Sequence, residues 1–168
     1  AMQLTNICRD VKQDAEEMQR VYLPADRLDV AGTSPSILLE GSLQTPDRQA
    51  IAGVTLDLLA LAEQYYSSGL QGVSAIPARP RLAILVAAQL YRAIGRRLRD
   101  RHHGDAWHGR TIVPKLRKFS GVATAILGSL SPRHLGFTRR AAHDARLHEK
   151  IAGFPGTNED AAEVTNDV

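Results

Sequence analysis

Two long segments of this 168-residue chain repeat apolar residues at the helical period, and no segment shows the alternation of a half-buried strand. The first, PDRQAIAGVTLDLLALAEQYYSSG, starts at Pro46 and is expected to end near Gly69, since helices favour proline at the start and glycine at the end. The second spans 79–103. Its apolar positions are Leu82, Leu85, Val86, Leu90, Ile94 and Leu98. The pattern predicts an all-α fold.

The remaining segments give the predicted domain organisation. A helix is expected up to Ala15 and another from Pro114 to about residue 130, while VAGTSPS at 30–36 is turn-rich and GVSAIPARP at 72–80 is a linker. Residues 1–130 are therefore expected to form one helical unit. Residues 131–168 are expected to be a basic segment followed by an acidic, disordered tail.

Charge and cysteine content limit the partners. The formal charge of +3 and pI near 9.3 allow contact with phosphates or anionic lipid without requiring either. Five arginines between 92 and 101 are expected to form a solvated or membrane-facing surface, and no nucleic-acid motif accompanies them.

The single cysteine, Cys8, excludes an internal disulfide and is expected to be a small buried residue. We expect a cytoplasmic protein, with peripheral membrane contact left open.

A row of oxygen-bearing side chains lies along the first predicted helix. At about 100° per residue, the row and the neighbouring apolar face each fall within a narrow arc. The row contains Gln3, Asn6, Asp10, Gln13 and Asp14. The apolar face contains Leu4, Ile7, Cys8, Val11 and Ala15. Asp10 and Asp14 are like charges one turn apart, which costs an isolated helix a few tenths of a kcal/mol.

A hard divalent cation would compensate for these two carboxylates. Mg²⁺ prefers carboxylate and amide oxygens and often completes its shell with substrate phosphates, so the row predicts a diphosphate anchor. The alternative is a solvated helix face on which Asp10 and Asp14 pair with Arg9 or Lys12. The sequence has no glycine-rich phosphate loop and no GxSxG motif. His102, His103 and His108 lie close in sequence, but no acidic or cysteine partner sits at a zinc-like spacing.

Three stretches resemble the squalene/phytoene synthase family. QLTNICRDVKQDAEEMQRVYLP, at 3–24, resembles its second aspartate-rich motif, and SGLQGVSAIPARPRLAILVAAQLYRAIGRRL, at 68–98, resembles the two helices that follow. WHGRTIVPKLRKF, at 107–119, is similar to the C-terminal stretch of bacterial phytoene synthases. The resemblance implies an isoprenoid synthase-type helical bundle, of which this chain is the C-terminal portion.

The same resemblance implies a prenyltransferase that joins two prenyl diphosphates head to head. In the phytoene branch, two geranylgeranyl diphosphates condense through a cyclopropyl (prephytoene) diphosphate to phytoene, a step of carotenoid biosynthesis. A squalene or dehydrosqualene synthase acting on farnesyl diphosphate is the alternative product class. A non-catalytic helical partner subunit or fragment is the alternative of another kind.

The residues matching the family motif fall into three sets of implied roles. The metal ligands, for Mg²⁺ or Mn²⁺, are Asn6, Asp10 and Asp14. The diphosphate-binding residues are Gln3, Asn6 and Arg9. The catalytic residues are Arg20, Tyr22 and Tyr91. Without the resemblance, Tyr91 is equally typical of an ordinary core aromatic.

Two features depart from the family pattern. Gln19 stands where the family usually has glycine before the arginine of RVYLP. The family also carries a first aspartate-rich motif on an earlier helix, whereas the chain has one DxxxD, at Asp10 and Asp14. We therefore expect about half of an active site here, with the remainder supplied by a missing N-terminal half or by a partner subunit.

Overall fold

The computed structural model describes residues 1–108 together with 146, 147 and 149. Its helices are α1 (Met2–Met18), α2 (Ala25–Val30), α3 (Pro35–Glu40), α4 (Thr45–Gln71) and α5 (Ala78–His102), with 3₁₀ turns at Val73–Ala75 and Ala106–His108. No strand occurs within the described residues, and the all-α prediction is confirmed. The helix predicted from Pro114 and nearly all of 131–168 lie outside the described residues.

Helix α4 begins where the sequence predicts and ends slightly later. A capping box holds its first turn, in which the Gln44 amide donates to Asp47 Oδ2 at 3.2 Å. The predicted end near Gly69 is confirmed to within two residues, since α4 continues to Gln71 and stops at Gly72. A glycine inside a helix costs about 1 kcal/mol relative to alanine, which is too little by itself to end α4 at Gly69.

Two six-residue helices, α2 and α3, fill the stretch where the sequence predicts mainly turns. Each contributes one leucine to the core: Leu28 is 0% exposed and Leu38 is 1% exposed. Ser34, between the two helices, is extended at φ −144° and ψ 159°, as the following proline predicts. Tertiary burial of a single leucine, rather than helical periodicity, holds these short helices in place.

Helix α1 packs against both α4 and α5 through the apolar face that its sequence predicts. Cys8, Val11 and Ala15 are buried in the main core. Burial raises the pKa of the Cys8 thiol to about 12, and its Sγ lies 3.7 Å from the Thr55 carbonyl oxygen, so Cys8 is the buried structural residue expected. The apolar face of α1 thereby fixes the direction of the oxygen row.

The apolar stripe of α5 is only partly covered. Leu85 and Leu98 are buried, but Leu82 is 36% exposed and Ile84, outside the predicted stripe, is 39% exposed. Leu82 therefore follows the helical period of the apolar stripe without being buried. The neighbouring elements α1 and α4 are too narrow to cover all the apolar residues of α5, and part of this helix is left open.

The chain leaves α5 through a tight turn that returns to α1. Gly104 has a φ of +81°, and the 3₁₀ turn that follows brings the Trp107 ring to 5.9 Å from the Lys12 ammonium. Asp105 Oδ2 forms an ion pair with the guanidinium of Arg48 on α4 at 2.6 Å. Asp105 Oδ1 accepts a hydrogen bond from the Trp107 backbone amide at 3.0 Å. The stretch before residue 109 is thus anchored on two helices beside the C-terminal half of α1.

Candidate functional site

The oxygen row of α1 contains one buried amide oxygen without a partner. Asn6 Oδ1 is inaccessible to solvent and accepts no hydrogen bond from any group in the described part of the chain. Such an atom normally costs about 1–3 kcal/mol, so a ligand that supplies a positive charge or a donor would be favoured there. Gln3, one turn earlier, is exposed.

Arg9 and Asp10 form a partly buried ion pair within the row. Arg9 Nε donates to Asp10 Oδ1 at 2.8 Å, a terminal guanidinium nitrogen donates to Oδ2, and the two side chains are 14% and 17% exposed. Asp10 therefore pairs with Arg9, as the alternative expects, but neither side chain lies on a solvated face. Lys12 pairs instead with Glu16, at 3.7 Å.

Asp14 carries charge that the protein compensates incompletely. Burial and then the Asp10 carboxylate raise its pKa above the ordinary value, while Arg9 acts in the opposite direction. The pKa of Arg9 is raised chiefly by its hydrogen bond to Asp10, and Tyr91 and Asp14 add to that rise. The structure therefore brings Arg9, Asp10, Asp14 and Tyr91 within electrostatic reach of one another.

This donor set suits a hard divalent cation but is incomplete. Two carboxylates and an amide oxygen on one helix face are ligand types that Mg²⁺ and Mn²⁺ prefer. Within the described residues, no group of three or more His, Cys, Asp or Glu side chains is arranged to hold a metal ion. These residues fit one side of a metal site by ligand type, and the described residues do not complete it.

The segment after α1 turns back on the row through Gln19. The backbone of Gln19 is in the left-handed αL conformation, with φ 52° and ψ 42°, which is the conformation that glycine adopts most easily. The Arg20 amide donates to the Asp14 carbonyl at 3.0 Å, and Gln19 Nε2 donates to the Ala15 carbonyl at 3.0 Å. The departure from the glycine of the family pattern is thus accommodated without opening the turn.

Arg20 and Tyr22 are exposed beyond that turn. A guanidinium nitrogen of Arg20 donates to the Tyr22 hydroxyl at 3.4 Å. Tyr22 is 47% exposed, and its hydroxyl raises the pKa of Arg20. The hydrogen bond from the Arg20 backbone amide to the Asp14 carbonyl holds Arg20 and Tyr22 at the end of the row. Tyr91, on α5, is within electrostatic reach of Arg9 beside the row.

Tyr91 is half-buried on α5. It packs against a small cluster formed by Ala62, Tyr66 and Ala88, beside Met2 and Leu4 of α1. Tyr91 is therefore partly a core aromatic, but one that lies against the helix that carries the oxygen row.

The sequence does not predict the polar network next to Tyr91. Arg92 pairs with Glu63 of α4, with Nε 3.1 Å from Oε2, and its guanidinium lies 5.7 Å from the centre of the Tyr66 ring. The expectation that Arg92 lies on a solvated surface is wrong, because its side chain is only 14% exposed. No sequence signal pairs two residues on different helices, so contact geometry was needed to find this pair.

His102 and His108 approach each other at the far end of α5. Their ring centroids are 5.3 Å apart, and burial followed by the neighbouring His108 lowers the pKa of His102. His102 is the last residue of α5, and His108 is the last residue of the 3₁₀ turn that follows it.

Comparison with known proteins identifies the family. The family model described as "Squalene/phytoene synthase" matches residues 1–117, which include the oxygen row, α4 and α5. The chain belongs to the squalene/phytoene synthase family. Its all-α architecture is that of the isoprenoid synthase-type bundle that the resemblance implies.

Several bacterial members of the family are similar to the chain. It is 43% identical over 118 residues to the 15-cis-phytoene synthase of a Paracoccus species, which covers 70% of this chain and 36% of that protein. It is 38% identical over 125 residues to the phytoene synthase of Pseudescherichia vulneris, covering 74% and 38%. Over 150 residues it is 40% identical to the 15-cis-phytoene synthase of Enterobacter agglomerans, covering 89% and 48%.

The chain thus spans between a third and a half of the length of these curated relatives. Among the helices of the described region, none is long and apolar enough to cross a membrane.

Proposed function

We propose that this chain is the C-terminal part of a phytoene synthase-like prenyltransferase. The proposed reaction joins two geranylgeranyl diphosphates head to head, through a cyclopropyl (prephytoene) diphosphate, to give phytoene in carotenoid biosynthesis. Relatives called phytoene synthases, at 38–43% identity, support the phytoene branch over a squalene or dehydrosqualene synthase acting on farnesyl diphosphate.

The observation that carries the proposal is the partnerless Asn6 oxygen beside two acidic residues. Asn6 Oδ1 is buried without a donor from the described residues, and the pKa of Asp14 is raised by burial and by Asp10. A helix face with these properties gains stability when cations bind along it, because they satisfy the amide oxygen and add positive charge beside the carboxylates. Asn6 and Asp14 are two turns, about 12 Å, apart, so one ion cannot contact both. We assign Asn6, Asp10 and Asp14 as ligands of Mg²⁺ or Mn²⁺.

A bound divalent metal would supply charge neutralisation for the substrate diphosphate and stabilisation of the departing pyrophosphate. The chain's own residues bind and orient. Gln3 and Asn6 offer amide donors, and Arg9 adds a cation whose guanidinium carries five N–H donors, of which the pair with Asp10 uses two. We assign Gln3, Asn6 and Arg9 to diphosphate binding.

The proposed catalytic residues lie at both ends of the row. Arg20, exposed next to Tyr22, is placed to approach a diphosphate with a full positive charge. Tyr91 lies on α5 in the cluster that also contains Met2 and Leu4 of α1, and we assign it the role of excluding water from an allylic cation and stabilising that cation electrostatically. These roles rest on the family motif and on the positions of the side chains.

The test is product formation by the protein purified as the product of its natural gene. With Mg²⁺, geranylgeranyl diphosphate is expected to give phytoene, and Asp10→Asn or Asp14→Asn should reduce turnover by about 100-fold or more, since each removes a ligand charge. Asp57→Asn, at an exposed position on α4, is the matched control and should leave turnover unchanged. Normal turnover by both row variants would refute the metal assignment, and turnover of farnesyl diphosphate alone would assign the squalene branch.

The exposed apolar residues of α5 favour a second candidate, a helical subunit that packs on a partner. Leu82 and Ile84 are 36% and 39% exposed, and because they point to different sides of α5, more than one neighbouring element would be needed to cover them. The intact mass of the natural gene product separates the two. A mass near that of the phytoene synthases supports the enzyme, whereas 18.3 kDa with a co-purifying helical protein supports the subunit.

A further inference from the structure

A buried hydroxyl pair joins α1 to α4 at Thr5, between Gln3 and Asn6 of the oxygen row. Thr5 Oγ1 lies 3.1 Å from the Tyr66 hydroxyl, and the two residues are 1% and 5% exposed. Thr5 Oγ1 is also 3.4 Å from the Ala1 carbonyl, to which it can donate while it accepts from Tyr66. Because both groups are buried, breaking the pair would leave a hydroxyl without a partner.

Tyr66 is also the contact point for α5. The guanidinium of Arg92 lies 5.7 Å from the centre of the Tyr66 ring and forms two hydrogen bonds with Glu63, one turn before Tyr66 on α4. Arg96 adds a longer contact of 3.5 Å to the same carboxylate. We call Thr5, Tyr66, Arg92 and Glu63 the interhelical network.

The network holds the immediate neighbours of two proposed site residues. Thr5 precedes Asn6 on α1, and Arg92 follows Tyr91 on α5. The rest of the α1 interface consists largely of apolar contacts, such as those of Cys8 and Val11, which are non-directional and set rotation and register weakly. A directional buried polar contact sets register far better.

Close packing makes the position of α1 sensitive to this contact. A methyl group at Gly95 of α5 would lie 3.2 Å from Leu59 Cδ2 and 3.6 Å from Thr5 Cγ2, so the three helices meet at Thr5 with little free space. A rotation of α1 about its axis would therefore displace Asn6 and, at the same time, strain the contact among Thr5, Leu59 and Gly95.

We infer that the interhelical network positions Asn6 and Tyr91 relative to each other, and that Thr5 and Tyr66 are positioning residues for the diphosphate and metal site. The inference rests on the proposed function, because it assigns to the network the alignment of that site. Neither residue touches the substrate in this account. Each acts through the helix that it holds.

The test compares two Thr5 variants that separate the hydroxyl from stability. Thr5→Val keeps the shape and loses the hydroxyl, while Thr5→Ser keeps the hydroxyl and loses a methyl group from a tight junction. Thermal unfolding should show a loss of Tm for both. Calorimetric titration of the natural gene product with Mn²⁺ and inorganic pyrophosphate should show about tenfold weaker binding for Thr5→Val and near-normal binding for Thr5→Ser, as expected when a partner that orients a ligand is removed.

A tyrosine pair gives a second comparison within the same chain. Tyr66→Phe removes the hydroxyl that meets Thr5 and should weaken Mn²⁺ and pyrophosphate binding about as much as Thr5→Val does. Tyr65→Phe, the matched control, removes a hydroxyl that donates to the Leu147 carbonyl at 2.9 Å, and it should bind as the wild type does.

The outcomes separate this inference from the proposed function. Two outcomes would overturn the positioning role and leave the proposed function intact, provided that the wild type binds Mn²⁺ and pyrophosphate. In the first, the binding affinity of the four variants falls in proportion to their Tm. In the second, none of the four variants changes the binding affinity. A wild-type protein that binds no Mn²⁺ and pyrophosphate would contradict the proposed site and the positioning role together.

Discussion

Gly104 is the position at which a side chain should be tolerated least. Its φ is +81°, and a methyl group there would lie 2.5 Å from the Ala52 carbonyl oxygen and 2.8 Å from Leu56 Cγ. Leu56 could rotate away, but the Ala52 carbonyl belongs to the backbone of α4 and cannot. The turn that returns Trp107 to α1 therefore depends on a glycine at this close approach to α4.

The cost of Gly104→Ala has two parts. The left-handed conformation costs an alanine about 1–2 kcal/mol, and overpacking against a fixed backbone adds about 1–3 kcal/mol. The expected loss is about 2–5 kcal/mol, a large share of the roughly 5–15 kcal/mol that stabilises an ordinary domain.

Two other glycines separate these parts. Gly41 has a φ of +73° with nothing within 4 Å of the added methyl group, so Gly41→Ala should show the conformational cost alone, about 1–2 kcal/mol. Gly53 is helical and open, so Gly53→Ala should stabilise the protein by about 0.5–1 kcal/mol.

Urea unfolding followed by circular dichroism measures all three variants. From the highest to the lowest urea concentration, the expected order of unfolding midpoints is Gly53→Ala, wild type, Gly41→Ala and Gly104→Ala. The slope of the unfolding free energy against urea concentration should be unchanged. Equal midpoints for the Gly41 and Gly104 variants would refute the close approach to Ala52. The reasoning about the turn would then fall with it.

Two further predictions concern buried and charged groups. Because burial raises the pKa of Cys8 to about 12, a thiol reagent at about pH 8 should label the folded protein far more slowly than the urea-unfolded protein, and equal rates would mean that α1 is not seated on α4. The hydrogen bond from Arg92 holds the pKa of Glu63 below its ordinary value of 4.5. The ion pair therefore stabilises the folded protein fully above pH 4.5, and this stabilisation is lost as the pH falls through the lower pKa of the folded state. Glu63→Gln should therefore lose less stability than the wild type in acid unfolding across that window, and an equal loss would argue against the ion pair.

Helices that carry their own periodic pattern were predictable from the sequence. Helices α1, α4 and α5 each have apolar residues repeated over three or more turns, and α4 also has a capping box at Gln44 and Asp47. Helices α2 and α3 have six residues each, too few for a period to appear, and their structure comes from burying Leu28 and Leu38.

The oxygen row was predictable because it lies on one helix, where spacing alone brings side chains together. The network of Thr5, Tyr66, Arg92 and Glu63 was not, because its members come from three helices whose register depends on packing. The partial exposure of Leu82 was likewise not predictable, since periodicity gives the direction of a face but not the extent of the neighbour that covers it.

The central claim is that the row of Asn6, Asp10 and Asp14 holds divalent cations that meet a diphosphate. The most direct measurement is anomalous diffraction at the manganese edge from crystals of the natural gene product grown with Mn²⁺ and inorganic pyrophosphate. The account predicts an anomalous peak about 2 Å from carboxylate oxygens of the row, with pyrophosphate oxygens in the same coordination shell. Manganese bound only elsewhere, with the Arg9–Asp10 pair intact and Asn6 Oδ1 still without a partner, would contradict it.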